Sequence, residues 1–442
     1  MLAPGMMEAA AKAGNQQMAG NYLPVPPRSV EESGLPFLFL VELLTKILFR
    51  QGQFHLADLC QHIKLPVSIV EHVLDFMRTE KLCEMARGMG AGSQPEFALS
   101  ETGRERAADF MRKSQYAGVA PVSLKAYSEQ VQRQTISDMR ITREGMQRAF
   151  ANVVVDTGIL DQLGAAMNSR RAIYLYGQAG TGKTFIAEKL VRLLSGTIAI
   201  PDAVLVDNEV MQVFDPLVHH VLGEITPLSG RLDRKVLVDP RWRICRRPVV
   251  ITGGELTLSM LDLDFDDSVR FYQAPPHIKA NNGIFIIDDL GRQLVSPQEL
   301  MNRWIVPMER HVDFLSLHTG YKFPVPFDVT VIFSSNRTPG ELADEAFLRR
   351  LGYKVRINAL TRDQYREVFV QVCSELEIPF SEKSFERLLI ECHEKQGRPL
   401  LACYPRDILS QLKEYAIYEN RSAEMNDELL DWACKNYFTN PI

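Results

Sequence analysis

Between residues 174 and 184 the chain reads Tyr174-Leu175-Tyr176-Gly177-Gln178-Ala179-Gly180-Thr181-Gly182-Lys183-Thr184. An apolar strand runs into the spacing GxxxxGK[ST], and a helical pattern follows from Phe185 to Leu194. Gly177, Gly180 and Gly182 permit a curled backbone whose successive N–H groups converge on one anion. Gln178, Ala179 and Thr181 supply the intervening amides, and the helix opening at Phe185 adds its positive end. Lys183 has the length to reach β- and γ-phosphates, and the Thr184 hydroxyl suits Mg²⁺. This is chemistry for a nucleoside triphosphate. No NKxD tetrad for reading guanine follows, which points to ATP rather than GTP.

Two further stretches carry polar groups at strand ends. Gly283-Ile284-Phe285-Ile286-Ile287 is a buried-type strand ending in Asp288-Asp289. In open α/β sheets ligands gather at the carboxyl ends of strands, so Asp288 is placed to hold the Mg²⁺ shell and Asp289 to orient an attacking water. Val329 to Ser335 is a second such strand and ends in Asn336, an amide able to bond water or the γ-phosphate. Residues 312–326 alternate around His318-Thr319-Gly320 as a β-hairpin. Asp344 to Arg350 reads as a short helix ending in Arg349 and Arg350, cations of the kind that neutralise transition-state charge at a neighbour's nucleotide. From Thr361, where Thr361 and Gln364 form a capping box, four helices are expected, with Arg406 at the start of the third, beside the interdomain cleft.

The elements that must position these residues lie in a chain of 442 residues, with 46% apolar and 24% charged residues, which bounds it as a multidomain globular protein. Its net charge of −5 makes it no general polyanion binder. The seven cysteines contain no CxxC, so a disulfide framework or zinc site is not expected and a reducing, cytoplasmic setting fits. Cys392-His393 reads as core packing. No signal pattern opens the chain. The most apolar run, Leu35 to Phe49, carries Glu42 and Lys46 and is too short to span a bilayer, so no membrane insertion is expected.

Residues 1–35 read as a disordered tail. Residues 36–115 follow the order helix, short strand, two helices, hairpin, helix, and resemble bacterial winged helix-turn-helix domains; Thr102 and Glu105 suggest a capping box for the last helix. Within Phe37 to Lys113, ten basic and ten acidic residues cancel. The would-be recognition helix shows Ser68, Glu71, His72 and Asp75 outward. Such a face repels phosphates, so docking to a protein is favoured over duplex DNA, which stays as the alternative partner. Residues 116–150 read as a polar linker. Within Val206 to Pro275, the basic set Arg241, Arg243, Arg246 and Arg247 and the acidic set Asp262, Asp264, Asp266 and Asp267 read as solvated surface, with partner binding by the basic set as the alternative.

The order of P-loop, acid-ended strand, hairpin, Asn-ended strand, Arg pair and helical segment with Pro405-Arg406 is similar to the AAA+ ATPases over roughly residues 150–442. Lys279-Ala280-Asn281-Asn282-Gly283 and Arg350 look most like the MoxR-type branch. The resemblance implies an α/β fold: a P-loop core with a parallel sheet flanked by helices (151–358) and an α-helical lid (359–442), behind the winged-helix domain. It implies Walker A at Gly177 to Thr184, a Mg²⁺-linked Asp288, and Asp289 where the family usually has Glu. Asn336 matches sensor 1, Arg350 or else Arg349 the trans-acting finger, and Arg406 sensor 2. The activity implied is Mg²⁺-dependent ATP hydrolysis within a homo-oligomer, a hexameric ring, that remodels a protein partner; the alternative is a DNA-binding regulatory or DNA-processing ATPase anchored by the winged helix.

Overall fold

The structure, a computed structural model, describes residues 23–86, 96–222, 238–342 and 345–438. At its centre five parallel strands run in the order Val249–Thr252, Gly283–Ile287, Val329–Ser335, Ile173–Tyr176, Tyr353–Arg356. Helices cover both faces, so the strands read as continuous apolar runs rather than alternating ones. All five residues of Gly283–Ile287 are buried, and a fully buried Ile or Phe side chain contributes about 1.5–3 kcal/mol. The chain is thus an α/β protein with a helix-flanked parallel sheet. The P-loop strand sits inside that sheet, and its carboxyl end opens beside those of its neighbours.

Residues 116–150, expected as a linker, are instead built into the molecule. Val122–Ser123 pairs in parallel with Ala203–Val206, at the edge of a second, mixed sheet that continues through Glu209–Gln212, Phe271–Gln273 and Asp264–Asp266. The following helix, Leu124–Arg133, ends in a buried polar knot. The Gln134 amide donates to Ala199 O (3.0 Å) and Asn282 Oδ1 (2.8 Å) and accepts from Ala199 N (2.9 Å). Asn282 donates to Val131 O and Asp328, while Asn281 donates to the Tyr127 hydroxyl. Polar composition suggested exposure, but these groups are satisfied by partners far along the chain, and satisfied polar groups tolerate burial.

The arginines read as solvated surface divide. Arg241 forms a buried pair with Asp239 (2.8 Å, side chains 5% and 2% exposed) and donates to the carbonyls of Ser33 and Pro121. Arg247 bonds the carbonyls of Ser195, Gln134 and Asn282, and burial pushes its pKa down to about 10. Arg246 is exposed, as are Asp262, Asp264 and Asp267. Arg241 therefore ties the front of the chain to the second sheet. The tail expectation fails for residues 23–35: Val30–Ser33 is a helical turn capped by Ser29, and Leu35 is buried. Residues 1–22 lie outside the described residues.

The front domain follows the order read from the sequence. Helix Phe37–Gln51, strand Phe54–His55, helices Leu56–Ile63 and Val67–Thr79, strands Cys83–Ala86 and Glu96–Leu99, and helix Glu101–Lys113 make one body. The final helix is capped by Ser100, which accepts from Gly103 N, rather than by Thr102. The glycine-rich loop with Arg87 lies outside the described residues. Ser68, Glu71, His72 and Asp75 are exposed, as expected. The body is not loosely tethered: its core continues into Ala203, Leu205 and Val210 of the second sheet, and Lys64 pairs with Asp202 at 3.0 Å.

The hairpin forms from Val312–Ser316 and Lys322–Pro326. Leu315, Phe323 and Val325 pack against the second sheet and the Leu124–Arg133 helix side. Asp313, also inward, accepts two bonds from Arg303 (2.7 and 2.8 Å) and one from His277 Nε2 (2.7 Å). Burial would raise the Asp313 carboxyl, but the His277 and Arg303 hydrogen bonds outweigh it and hold it at about 2. Burial holds His277 below its ordinary value, so it sits there neutral, donating one proton.

The C-terminal helices Arg362–Leu376, Glu382–Leu388, Tyr404–Tyr418 and Asp427–Tyr437 pack around their own core, and the Thr361–Gln364 capping box is present. The second helix continues through a π-helical turn, Leu389–Glu394, with Cys392 and His393 buried. Burial, helped by the nearby Arg398 charge, pushes His393 down to about 4. His219 and His277 are lowered by burial in the same way. The unfolded chain therefore binds more protons than the folded one between about pH 6.5 and these lowered values. Stability should fall as pH drops through that window, by up to about 1.4 kcal/mol per pH unit for each such histidine. His393→Leu should remove one such contribution between pH 6.5 and 4 in urea melts; an unchanged slope would count against a neutral buried imidazole.

Candidate nucleotide site

The P-loop follows strand Ile173–Tyr176 and ends in the helix Lys183–Lys189, whose N-cap is Gly182. Two of its glycines are required by close approach. Gly177 has φ 151°, and a Cβ there would lie 2.1 Å from Ile357 O. Gly180 has φ 82°, and a Cβ there would lie 2.6 Å from Cys403 Sγ. The Cys403 N–H in turn donates to Gly180 O at 3.1 Å. The C-terminal helical domain is thus seated directly on the loop.

The groups read from separate strands meet here. Lys183 Nζ donates to Gly177 O (3.1 Å), Gln178 O (3.0 Å) and Asn336 Oδ1 (2.8 Å). Thr184 Oγ1 donates to Asp288 Oδ2 at 2.7 Å. Asn336 Nδ2 reaches Asp289 Oδ1 at 3.3 Å. Burial lowers the Lys183 pKa, with Asp288 and Asp289 pulling the other way. Asp289 has φ 49°, a left-handed conformation that Asp and Asn enter more readily than longer side chains.

A cleft of about 1070 Å³ opens over this cluster. Ala179, Gly180, Thr181, Gly182, Lys183, Thr184, Phe185, Asp288, Asp289, Asn336 and Arg406 all line it. Gly177 and Gln178 contribute carbonyls beneath it. Arg406 pairs with Glu375 across the lid helices. Arg349 and Arg350 do not line the cleft; Arg350 Nε bonds Glu309 Oε1 at 2.5 Å on the helix Pro297–Arg310.

Several lining residues escaped the sequence reading. Val153, Val155 and Ile159 form an apolar wall facing Leu360, Val368 and Val372 of the helical domain. The signal was the Val153-Val154-Val155 run before the helix Thr157–Ser169, which Asp156 caps. Lys354 and Arg356, alternate residues on the last strand, also line the cleft. Arg292 stands 3.5 Å from Asp289. Gln293 holds the turn beneath, donating to Gly253 O and Asp288 O (3.0 Å each) and accepting from Gly291 N (2.9 Å). Nothing in the local sequence marks these last two.

The donor set fits Mg²⁺ bound with a triphosphate. That ion takes one or two protein oxygens and fills its octahedron with phosphate and water, and Thr184 with Asp288 offers that pair. Among the described residues no group of three or more His, Cys, Asp or Glu is placed to hold a metal by itself. The first N–H groups of a helix have no intrahelical partner, and those of Lys183–Lys189 follow directly on the loop.

Residues 361–436 match a family described as Domain of unknown function (DUF8689). No curated protein sequence matches the chain. Among solved structures it is similar to NtrX from Brucella abortus, at 12% identity and TM-score 0.39, covering 68% of this chain and 55% of that one. It is also similar to the Thermotoga maritima RuvB Holliday junction branch migration motor, at 12% identity and TM-score 0.35, covering 67% and 70%. This chain thus spans about half the length of the NtrX chain. No helix among the described residues is long and apolar enough to cross a membrane.

Proposed function

We propose that this chain is a Mg²⁺-dependent ATP hydrolase of the AAA+ type, MoxR-like in pattern, that couples turnover to remodelling of a protein partner. The observation that carries this reading is the single cluster of Lys183, Thr184, Asp288, Asp289 and Asn336, drawn from three adjacent strand ends. In it the P-loop amides and Lys183 bind the triphosphate. Thr184 and Asp288 would hold Mg²⁺, which would supply positive charge to neutralise the charge developing in the transition state. Asp289 accepts the proton of the attacking water, and Asn336 fixes that carboxylate's direction. Arg406 approaches the phosphates as the lid closes, releasing Glu375.

Arg350, or else Arg349, acts on the site of a neighbouring copy in a hexameric ring, exchanging Glu309 for the neighbour's phosphate. The winged-helix body recruits the partner. Its exposed Glu71 and Asp75 support a protein surface rather than duplex DNA. The free cysteines suit the reducing cytoplasm.

Asp289→Asn tests the reading. Asn keeps the left-handed backbone and the shape but loses the proton acceptor, so ATP binding should persist while hydrolysis falls about 10²–10⁴-fold. Equal turnover would remove Asp289 from the reaction. The variant, held with ATP, should also retain the partner on an affinity matrix, and duplex DNA at low salt should leave its migration unchanged.

A further inference from the structure

A second, smaller cavity of about 230 Å³ lies behind the Asp289–Asn336 pair. It is lined by Asp289, Gly291, Arg292, Asn336 and Arg337, with Leu290 and Ser335 at its floor. Asp289, Arg292 and Asn336 line the large cleft as well, so the two cavities meet where a γ-phosphate would face the carboxylate. At roughly 30 Å³ per water molecule, the space holds a tetrahedral oxyanion with part of its hydration shell.

Its charge suits an anion. Among the lining residues two arginines stand against one carboxylate, which is already 3.5 Å from Arg292, while Glu341 stands near Arg337 outside the lining. Arg337 grows from a fixed root: its N–H donates to Ser335 Oγ (3.2 Å) and its carbonyl accepts from the Tyr174 hydroxyl (3.0 Å). Gly291, at φ 100°, keeps the space open; a Cβ there would lie 3.0 Å from Leu342 Cδ2 and 3.8 Å from Arg337 Nε. The Arg292 side chain is 67% exposed and Arg337 is exposed, so the far side reaches solvent.

We propose that this cavity binds the inorganic phosphate product and is its way out, separate from the path of ADP. The proposal rests on the ATP-hydrolysis reading above. Hydrolysis leaves a phosphate dianion beside Asp289; once Asp289 passes to solvent the proton it took from water, its like charge drives the dianion away. Arg292 screens that carboxylate, and Arg337 receives the dianion on the far side through charge-assisted hydrogen bonds. No bond is made or broken in the cavity.

The test is calorimetric titration of inorganic phosphate into the full chain saturated with Mg²⁺·ADP. The wild type should bind phosphate, and Arg337→Ala should weaken that affinity by about tenfold or more. Arg337→Lys should recover part of the loss, since it restores the charge without the planar fork. ADP affinity should change by less than about twofold in both variants, because Arg337 lies outside the nucleotide cleft. No phosphate binding by the wild type, or equal affinity in Arg337→Ala, overturns the exit site while leaving the ATPase reading intact. Failure of ADP to bind at all removes that reading instead.

Discussion

Replacing Lys183 by Ala should lower ATP affinity by about 10–100-fold, the worth of one or two charge-assisted hydrogen bonds. The ammonium has three N–H donors, and its three acceptors lie at 3.1, 3.0 and 2.8 Å, two of them carbonyls of the loop itself. It is held where a β,γ-phosphate pair would lie, in surroundings that penalise its charge. Turnover should fall further, by about 10²–10³-fold, because a desolvated cation stabilises the charge of the transition state more than that of the ground state. The variant should stay folded with at most a modest loss of stability, since three hydrogen bonds go while the buried charge is relieved. Nucleotide titration with equilibrium unfolding on the same sample checks both halves. Unchanged ATP affinity in a folded variant would refute the assignment of the loop.

The largest effect on stability is expected at Asp313. Asp313→Ala should cost about 3–5 kcal/mol, as removal of one partner from a buried charge cluster does. Arg303 would keep its charge with two hydrogen bonds lost, holding only Leu261 O and a looser pair with Asp262 (3.7 Å), and His277 would lose the acceptor for Nε2–H. Trp304 and Phe327 pack around the imidazole, leaving water little room to replace the carboxylate. Pairing Asp313→Ala with Arg303→Met should recover a large part of the loss, because an apolar pair avoids the stranded charge. Urea midpoints of the two variants decide it. If the double variant is no more stable than the single one, the stranded guanidinium is not the cause.

The cluster matters beyond stability because of where it sits. Asp313 belongs to the hairpin, Arg303 to the helix after the Asp288-Asp289 turn, and His277 to the short helix before that strand. It joins the nucleotide side of the molecule to the hairpin, and the hairpin packs on the second sheet. The front domain is fixed to the same sheet through Arg241 and Lys64. A movement at the Asp289 turn therefore has a packed route to the front body.

The parts legible in the sequence are those whose signal is local. The P-loop, the acid-ended and Asn-ended strands, the hairpin and the four C-terminal helices each occupy one stretch with its own periodicity and end residues. The P-loop in particular needs small residues at fixed spacing, because its backbone must curl against Ile357 and Cys403. Even the direction of Asp288 follows from the strand it ends.

What escaped the sequence are the groups whose role depends on distant partners. Gln130, Gln134, Asn281 and Arg247 have the composition of surface residues and lie in a satisfied network at the join of two sheets. Arg292 and Arg337 look like ordinary loop cations until the fold brings them to either side of the Asp289–Asn336 pair. The residues alone determined that a phosphate-binding loop and its acidic partner exist, because backbone geometry and strand burial select residue types locally. Only the tertiary structure decided which polar groups are buried and which cations share a cavity, because a charge or amide tolerates burial only once its partner, set by the whole chain, is within hydrogen-bond reach.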